Sequence, residues 1–368
     1  MEMKNYFHMN DGNGELSYSQ NSSVQARVWL MNQSLLENAI QSLITSKDSG
    51  LNIADLGCGV GNVPLGLVSF LVEIMQKKSK ELLKLDNNDD QVPQLQIYMN
   101  DLPSNDFNSL FKEMMNLDVL KKKDDDGVPL CFLMGAPGSY YDRLFPNKSL
   151  HLVHANYSLH WLSKVPPRIY DDQRMSINKG NIYISETSPA KVGRIYRDQF
   201  EQDFTLFLKS RSKEVIANGC MLLTLRGRPS STNPLTWTTF EFKIFTKTLA
   251  SLVSEGLIKE EKLDTFDFPC YCATKEQLES IAKKEGSFEV ETSKTMVVDV
   301  APEIEDKWER AQVITKIIRA FSESLVSSHF GEDISTLLYD KLVHFANQHL
   351  VDDQLAQNHA VTVLLRKK

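Results

Sequence analysis

The chain has 368 residues, 42% of them hydrophobic, with a formal net charge of −7 and a pI of ≈ 5.7. That is enough apolar material for one large domain or two moderate ones. An acidic chain with scattered Lys and Arg is a poor general binder of nucleic acid, whose affinity rests on phosphate neutralisation.

The N-terminal stretch "MEMKNYFHMNDGNG" has no signal-peptide core, and no apolar run reaches the roughly 18 residues of a membrane span. The five cysteines, Cys58, Cys131, Cys220, Cys270 and Cys272, lack paired zinc-site spacing. A reducing, cytoplasmic setting suits them.

In chain order, residues 22–43 read as a helix, with apolar positions at helical spacing. A strand at 51–56 leads into a glycine-rich loop and a helix at 62–85. The polar excursion 79–94 reads as an exposed loop, and the charge run Lys121–Asp126 as a solvated one. Further strands are expected at 95–99, 130–134, 150–154, 182–185 and 221–225. A helix at 199–217 carries Phe200, Phe204, Phe207 and Leu208 on one stripe. From 229 to 284 the pattern turns to loop and helix, and a long helix at 303–329 stops at Gly331. The β-rich stretches 287–300 and 360–368 are expected to pair antiparallel at the edge of the same sheet. Alternation of this kind implies an α/β fold, a mostly parallel sheet with helices on both faces. A doubly wound sheet whose last strand is reversed is a methyltransferase arrangement.

The stretch "IADLGCGVGN" is the strongest signal of chemistry. Gly57, Gly59 and Gly61 follow Asp55 at intervals of two, where a dinucleotide loop would read G-x-G-x-x-G to seat a pyrophosphate on a helix N-terminus. Glycines without that spacing suit S-adenosylmethionine, which has no pyrophosphate. Asp55 is expected near its ammonium and the loop amides near its carboxylate. Asp101, at the end of the next strand, can accept both ribose hydroxyls. Alone, the loop is also compatible with an incidental glycine-rich turn.

With these residues in view, the chain resembles the plant SABATH methyltransferases, which act on small carboxylic acids and purine alkaloids. The resemblance is carried by "HMNDGNGELSYSQNS", "ADLGC", "NDLPSNDFNSLF", "GAPGSYYDRLFP", "HANYSLHWLSKVP", "NKGNIYISETSP", "GCMLLTLRGR", "EEKLDTFDFP" and "SSHFGE", in the family's order from residue 8 to 332. "DKWERAQVITKIIRAF" and "NKGNIYISETSP" point to the caffeine-synthase-type branch. The resemblance implies a single unit over 1–368 with a Rossmann-like class I sheet, mostly parallel with the last strand antiparallel, and an α-helical cap. The sheet would span about 45–228, 285–300 and 358–368. The cap would span about 229–284 and 301–357, with contributions from 1–44. A homodimer is implied as well.

Position by position, the resemblance implies a cofactor site of Tyr18, Cys58, Asp101, Leu102, Ser139 and Tyr140, and a substrate site of Gln25, Tyr157, His160 and Trp161. Arg226 matches a pocket position of the caffeine-type branch. Asn178, Asp264 and Phe266, with Asp267 where relatives often have Asn, match positions that hold a structural Mg2+ in some members. The glycine loop departs from the family's Gly-Cys-x-x-Gly-Pro-Asn. The cofactor-contacting Asn falls at Val63, and Asn62, one place early, is the candidate replacement.

The expected reaction is in-line methyl transfer to a small planar molecule. An ionised acid needs no base, whereas a xanthine ring nitrogen must lose a proton, and His160 or Tyr157 could accept it. Gln25 favours a carboxylic acid such as salicylate, benzoate, anthranilate or nicotinate. Asn10 and the branch motifs favour N-methylation of a xanthine, the reading preferred here. A catalytically silent ligand-binding homologue is the third expectation, motivated by the altered loop.

Overall fold

A computed structural model describes residues 7–44, 50–85, 94–121, 130–350 and 357–368, with the backbone alone for 79–85. Its strands are β1 (Leu51–Leu56), β2 (Leu95–Asn100), β3 (Cys131–Gly135), β4 (Leu150–Asn156), β5 (Val215–Gly227), β6 (Phe288–Asp299) and β7 (Gln357–Lys367). They form one sheet in the order β3-β2-β1-β4-β5-β7-β6. The first five run parallel, with Ile53 of β1 opposite Ile97 on one side and Leu152 on the other. β7 is antiparallel to both neighbours and lies between β5 and β6, so the last strand is reversed as expected but is not the edge.

Side-chain alternation along the strands builds two apolar layers. Ile53, Leu152, Cys220 and Leu222 face one layer, completed by α2 (Gln33–Leu43), α3 (Asn62–Leu85) and α4 (Phe107–Met114). Ala54, Leu56, Val153, Leu223 and Leu225 face the other. There they meet α5 (Ala190–Glu214), α6 (Phe240–Ser254), α8 (Lys275–Glu285), α9 (Lys307–Phe330) and α10 (Glu332–His349). The short α7 (Glu260–Asp264) precedes the segment that crosses towards the end of β5. The strand order reverses between β1 and β4, and the carboxyl ends of those two strands form the crevice where open α/β sheets bind ligands.

Three expected elements differ. The helix at 22–43 is two helices, α1 (Ser23–Leu30) and α2, broken at Met31 and Asn32. The Asn32 amide donates to the hydroxyls of Thr224 and Thr362 at 3.2 and 3.1 Å, bonds to distant strands that fix the break. The helix expected at 199–217 runs from Ala190 to Glu214, because Val215 already enters β5. Residues 182–185 are not a strand: the Ile182 carbonyl accepts from Phe268 N at 2.8 Å and that of Tyr183 from the Asn178 amide at 3.1 Å, so no ladder forms. In the polar excursion α3 continues to Leu85, and 86–93 lie outside the described residues. Lys121 ends a 3₁₀ turn, and the rest of its charge run also lies outside them.

Candidate active site

Two joined cavities occupy the crevice. The outer one is lined by Tyr18, Gly57, Gly59, Asp101, Leu102, Ser139, Tyr140, Tyr157 and Trp161 among others. Gly57 has φ +72°, and a Cβ there would lie 2.4 Å from Cβ of Ser158, so only glycine lets β1 turn against the neighbouring loop. Gly59, at φ +60°, donates its amide to Oδ2 of Asp101 at 2.8 Å, and Leu102 N donates to Oδ1 at 2.7 Å. Burial of the Asp101 carboxyl pushes it up to about 6, against the pull of those two amides.

The wall opposite is the loop 139–145. Tyr140 donates its hydroxyl to Ser158 O at 3.0 Å, which fixes the ring beside Gly57. The loop is clamped from α5. Arg211, fully buried, meets Oε2 of Glu214 at 2.6 Å and donates to the carbonyls of Tyr140 and Asp142 at 2.6 and 2.8 Å. Oε1 of Glu214 accepts the amides of Leu144 and Phe145 at 2.8 and 3.1 Å. A tight glycine turn, a carboxylate facing the cavity and an aromatic wall fit a nucleoside-bearing ligand such as S-adenosylmethionine.

Three residues expected in this cofactor site do not line the cavity. Asp55, buried, lies opposite His154 in the β1–β4 register and accepts from its Nδ1 at 2.7 Å, which turns the carboxylate sideways between strands. The Cys58 thiol is buried in the other apolar layer, where desolvation, reinforced by Asp101 and Asp55, pushes it well above its ordinary range. Asn62 is the solvent-exposed first residue of α3 and lies outside the cavity lining. Val63 packs with the apolar layer.

The inner cavity shares Met9, Tyr18, Tyr157 and Trp161 with the outer one and adds Gln25, His160, Arg226, Glu241, Phe321 and Asn358. All five expected substrate residues gather here. Tyr157 sits at φ +59°, a strained conformation for an aromatic residue, held by its amide to Thr224 O at 2.8 Å. Its buried hydroxyl and the amide oxygen of Gln25 have no partner among the described residues. Trp161 meets Phe7 and Phe321 in tilted ring contacts, with centroids at 4.5 and 6.0 Å.

His160 was expected as a possible proton acceptor, but its Nδ1 is engaged. Arg226 N donates to Nδ1 at 3.4 Å, so the hydrogen of the neutral ring sits on Nε2. Burial, with Arg226 adding to it, holds the ring down at about 3, leaving it neutral and a hydrogen-bond donor. Tyr157 is no base either, since burial raises its hydroxyl above its ordinary range.

Arg226, at the end of β5, is not a free cation. Its Nη2 meets Oε2 of Glu241 at 2.6 Å and donates to Asn358 Oδ1 at 2.8 Å, with the guanidinium 5.6 Å from the Phe242 ring centre. The sequence reading missed Glu241, Asn358 and Phe321. Glu241 had a signal: it shares the apolar stripe of α6 with Ile244, Phe245, Thr248 and Leu252, an unusual position for an acid.

The expected metal set fits a cation only in part. Oδ1 of buried Asp267 has no partner, Oδ2 accepts from Tyr170 at 2.6 Å, and Asp264 is near enough to help raise Asp267 to about 7, although burial is the main cause. Asn178 is fully engaged instead: Ser188 donates to its Oδ1 at 2.7 Å, and its amide serves Asn181 and Tyr183. Among the described residues no three His, Cys, Asp or Glu side chains cluster as ligands. No helix among them is long and apolar enough to cross a membrane.

A sheet wound outward from β1 and β4, closed by a reversed strand and cupping a cavity at its switch point, is the frame of an S-adenosylmethionine-dependent methyltransferase. The sequence matches the family described as SAM dependent carboxyl methyltransferase over residues 4–368, and the chain belongs to that family, the SABATH methyltransferases. It is 43% identical over 363 residues to 3,7-dimethylxanthine N-methyltransferase TCS1 of Camellia sinensis, covering 98% of this chain and 95% of the relative. It is 42% identical to caffeine synthase 1 of Camellia crassicolumna, with coverage of 98% and 95%. Among solved structures, loganic acid methyltransferase with SAH superposes with a TM-score of 0.84 at 30% identity, covering 98% of this chain and 99% of that one.

Proposed function

We propose that the protein methylates a ring nitrogen of a xanthine, with S-adenosylmethionine as methyl donor. The observation that carries this reading is the Arg226–Glu241 pair in the inner cavity. A carboxylate substrate would need a free cation or an uncrowded set of neutral donors. Here the buried cation is already neutralised, and Glu241 would repel a second carboxylate at close range. A neutral planar ring with an N–H donor suits the unpartnered hydroxyl of Tyr157, while the Nε2–H of His160 suits a ring carbonyl. The relatives named for xanthine methylation support the same choice.

In this reading the outer cavity holds the donor: Asp101 accepts the ribose hydroxyls, Tyr140 walls the adenine, and Leu102, Ser139 and Tyr18 complete the contact. The donor supplies a methyl group on a sulfonium, already a good leaving group. The chain's contribution is alignment: Trp161, Tyr157 and His160 hold the acceptor ring between the cavities and exclude water, and such orientation is worth up to about 7–11 kcal/mol. The described parts of segments 229–284 and 301–357, with contributions from 7–31, act as a cap, and the working unit is a cytoplasmic homodimer acting on small molecules, without nucleic acid or membrane as a partner. The five free cysteines support the compartment, and light scattering tests the dimer.

The test is a radiolabelled methyl-transfer panel with salicylate, benzoate, anthranilate, nicotinate, xanthine, 7-methylxanthine and 3,7-dimethylxanthine. Base-stable product on a xanthine is expected, and a base-labile ester overturns the reading. Gln25 favours the alternative, carboxyl methylation, so Gln25→Ala is informative: a xanthine methylator should keep most of its activity, whereas an acid methylator should lose it.

A further inference from the structure

Methylating a ring N–H leaves one proton too many on nitrogen, and the inner cavity must take it. Most of its polar side chains cannot. His160 presents Nε2–H to the cavity because Nδ1 is engaged by Arg226 N. The Tyr157 hydroxyl and the Cys270 thiol are buried and keep their protons, Arg226 is a cation, and Gln25 and Asn358 are amides. Among the described residues lining this cavity, Glu241 is the single carboxylate.

We propose that Glu241 is a catalytic residue, the acceptor of the ring N–H proton during methyl transfer. The inference rests on the xanthine reading. The nitrogen forms its bond to the methyl carbon as the S–CH3 bond breaks and its electron pair stays on sulfur, giving a neutral thioether. The N–H pair remains on nitrogen, and the proton passes to the Glu241 carboxylate. One cationic charge disappears from sulfur and one anionic charge from Glu241, so the net charge of the closed site is unchanged.

The surroundings are built for that change. Groups facing Glu241 are Arg226 from β5, Tyr157 from the loop after β4, and Cys270 and Cys272 from the segment after α7. Once Glu241 is protonated, Arg226 keeps Asn358 at 2.8 Å and the face of Phe242, so the buried cation is not abandoned.

Glu241→Gln preserves shape and can still hydrogen-bond Arg226, and Glu241→Asp preserves the charge. Calorimetry with 7-methylxanthine alone should give affinities for Glu241→Gln within about threefold of the parent enzyme, while benzoate should bind more tightly once the like charge is gone. The kcat of Glu241→Gln on 7-methylxanthine at neutral pH should fall by at least about 100-fold, the usual scale of general-base catalysis. It should recover as rising pH ionises the substrate itself, and Glu241→Asp should keep the parent pH profile at reduced kcat. A folded Glu241→Gln enzyme with near-parent kcat and pH profile overturns the assignment. So does parallel loss of affinity and kcat without alkaline recovery, which marks a merely structural partner of Arg226. Failure of the xanthine reading is seen in the parent enzyme alone, as ester formation on acids with no transfer to xanthines.

Discussion

The carboxylate of Asp101 accepts the backbone amide of Gly59 at 2.8 Å, tying the end of β2 to the glycine loop after β1. One acid thereby shapes the turn and still presents lone pairs to the outer cavity. Asp101→Ala should weaken S-adenosylhomocysteine binding by about 10–100-fold, since a hydrogen bond to a charged group contributes about 1.5–3 kcal/mol. The two pH effects have opposite signs. In the unliganded protein a carboxyl raised from 3.8 to about 6 costs stability above about 6, and the cost fades as pH falls from there towards 3.8. Ligand hydroxyls need the ionised acceptor, so affinity should drop as pH falls through about 6. Calorimetry at pH 5 and pH 8 checks this, and Asp101→Asn should give a flat profile.

The ion pair Arg211–Glu214 is fully buried and grips the loop that carries Tyr140. Glu214→Ala leaves an uncompensated guanidinium and orphans the amides of Leu144 and Phe145. Breaking one side of such a pair typically costs about 3–5 kcal/mol. A marked fall in Tm is expected. Because the loop walls the outer cavity only, KM for the methyl donor should rise more than KM for the acceptor. Equal rises would show that the clamp serves the fold alone.

What the sequence disclosed follows from how local each cause is. β1, β2 and the start of α3 were legible because alternation, glycines and strand length all act within a few residues. The break at Asn32 was not, since its amide answers to Thr224 and Thr362, 192 and 330 positions away. Residues 182–184 are apolar and buried, but their backbone bonds go to Asn178 and Phe268 rather than to a ladder. Within the site, residue types were readable and directions were not. Asp55 looked like a ligand contact until the β1–β4 register set it against His154. Arg226 was legible as a pocket position but its ion pair was not, because the partner Glu241 lies on α6, in a stretch read only as loop and helix.

Asn62 and Gly57 separate appearance from contact in the glycine loop. Asn62→Ala should leave donor affinity unchanged within about twofold, because the side chain is exposed outside the cavity. Gly57→Ala should abolish donor binding or folding, since the new Cβ would lie 2.4 Å from Cβ of Ser158 at a φ of +72°. Circular dichroism and calorimetry on the pair distinguish the two fates. Weakened binding by Asn62→Ala would mean that the start of α3 approaches the donor after all.

Asp267 gives a stability test independent of turnover. Burial raises its carboxyl from 3.8 to about 7, opposed by the Tyr170 hydroxyl and reinforced by Asp264. A folded-state value above the unfolded one means that the ionised form destabilises the protein. The cost is fully present above about 7 and shrinks as pH falls towards 3.8. Asp267→Asn removes the charge while its side-chain oxygen can still accept from Tyr170. In chelator-treated protein, the Tm of the variant relative to the parent should therefore be highest and level near pH 8.5 and decline from about pH 7 towards pH 5.5. Differential scanning calorimetry across that range reads the trend. A difference in Tm that does not move with pH would mean that Asp267 stays in one protonation state throughout, and that the unpartnered Oδ1 is not a site of buried charge.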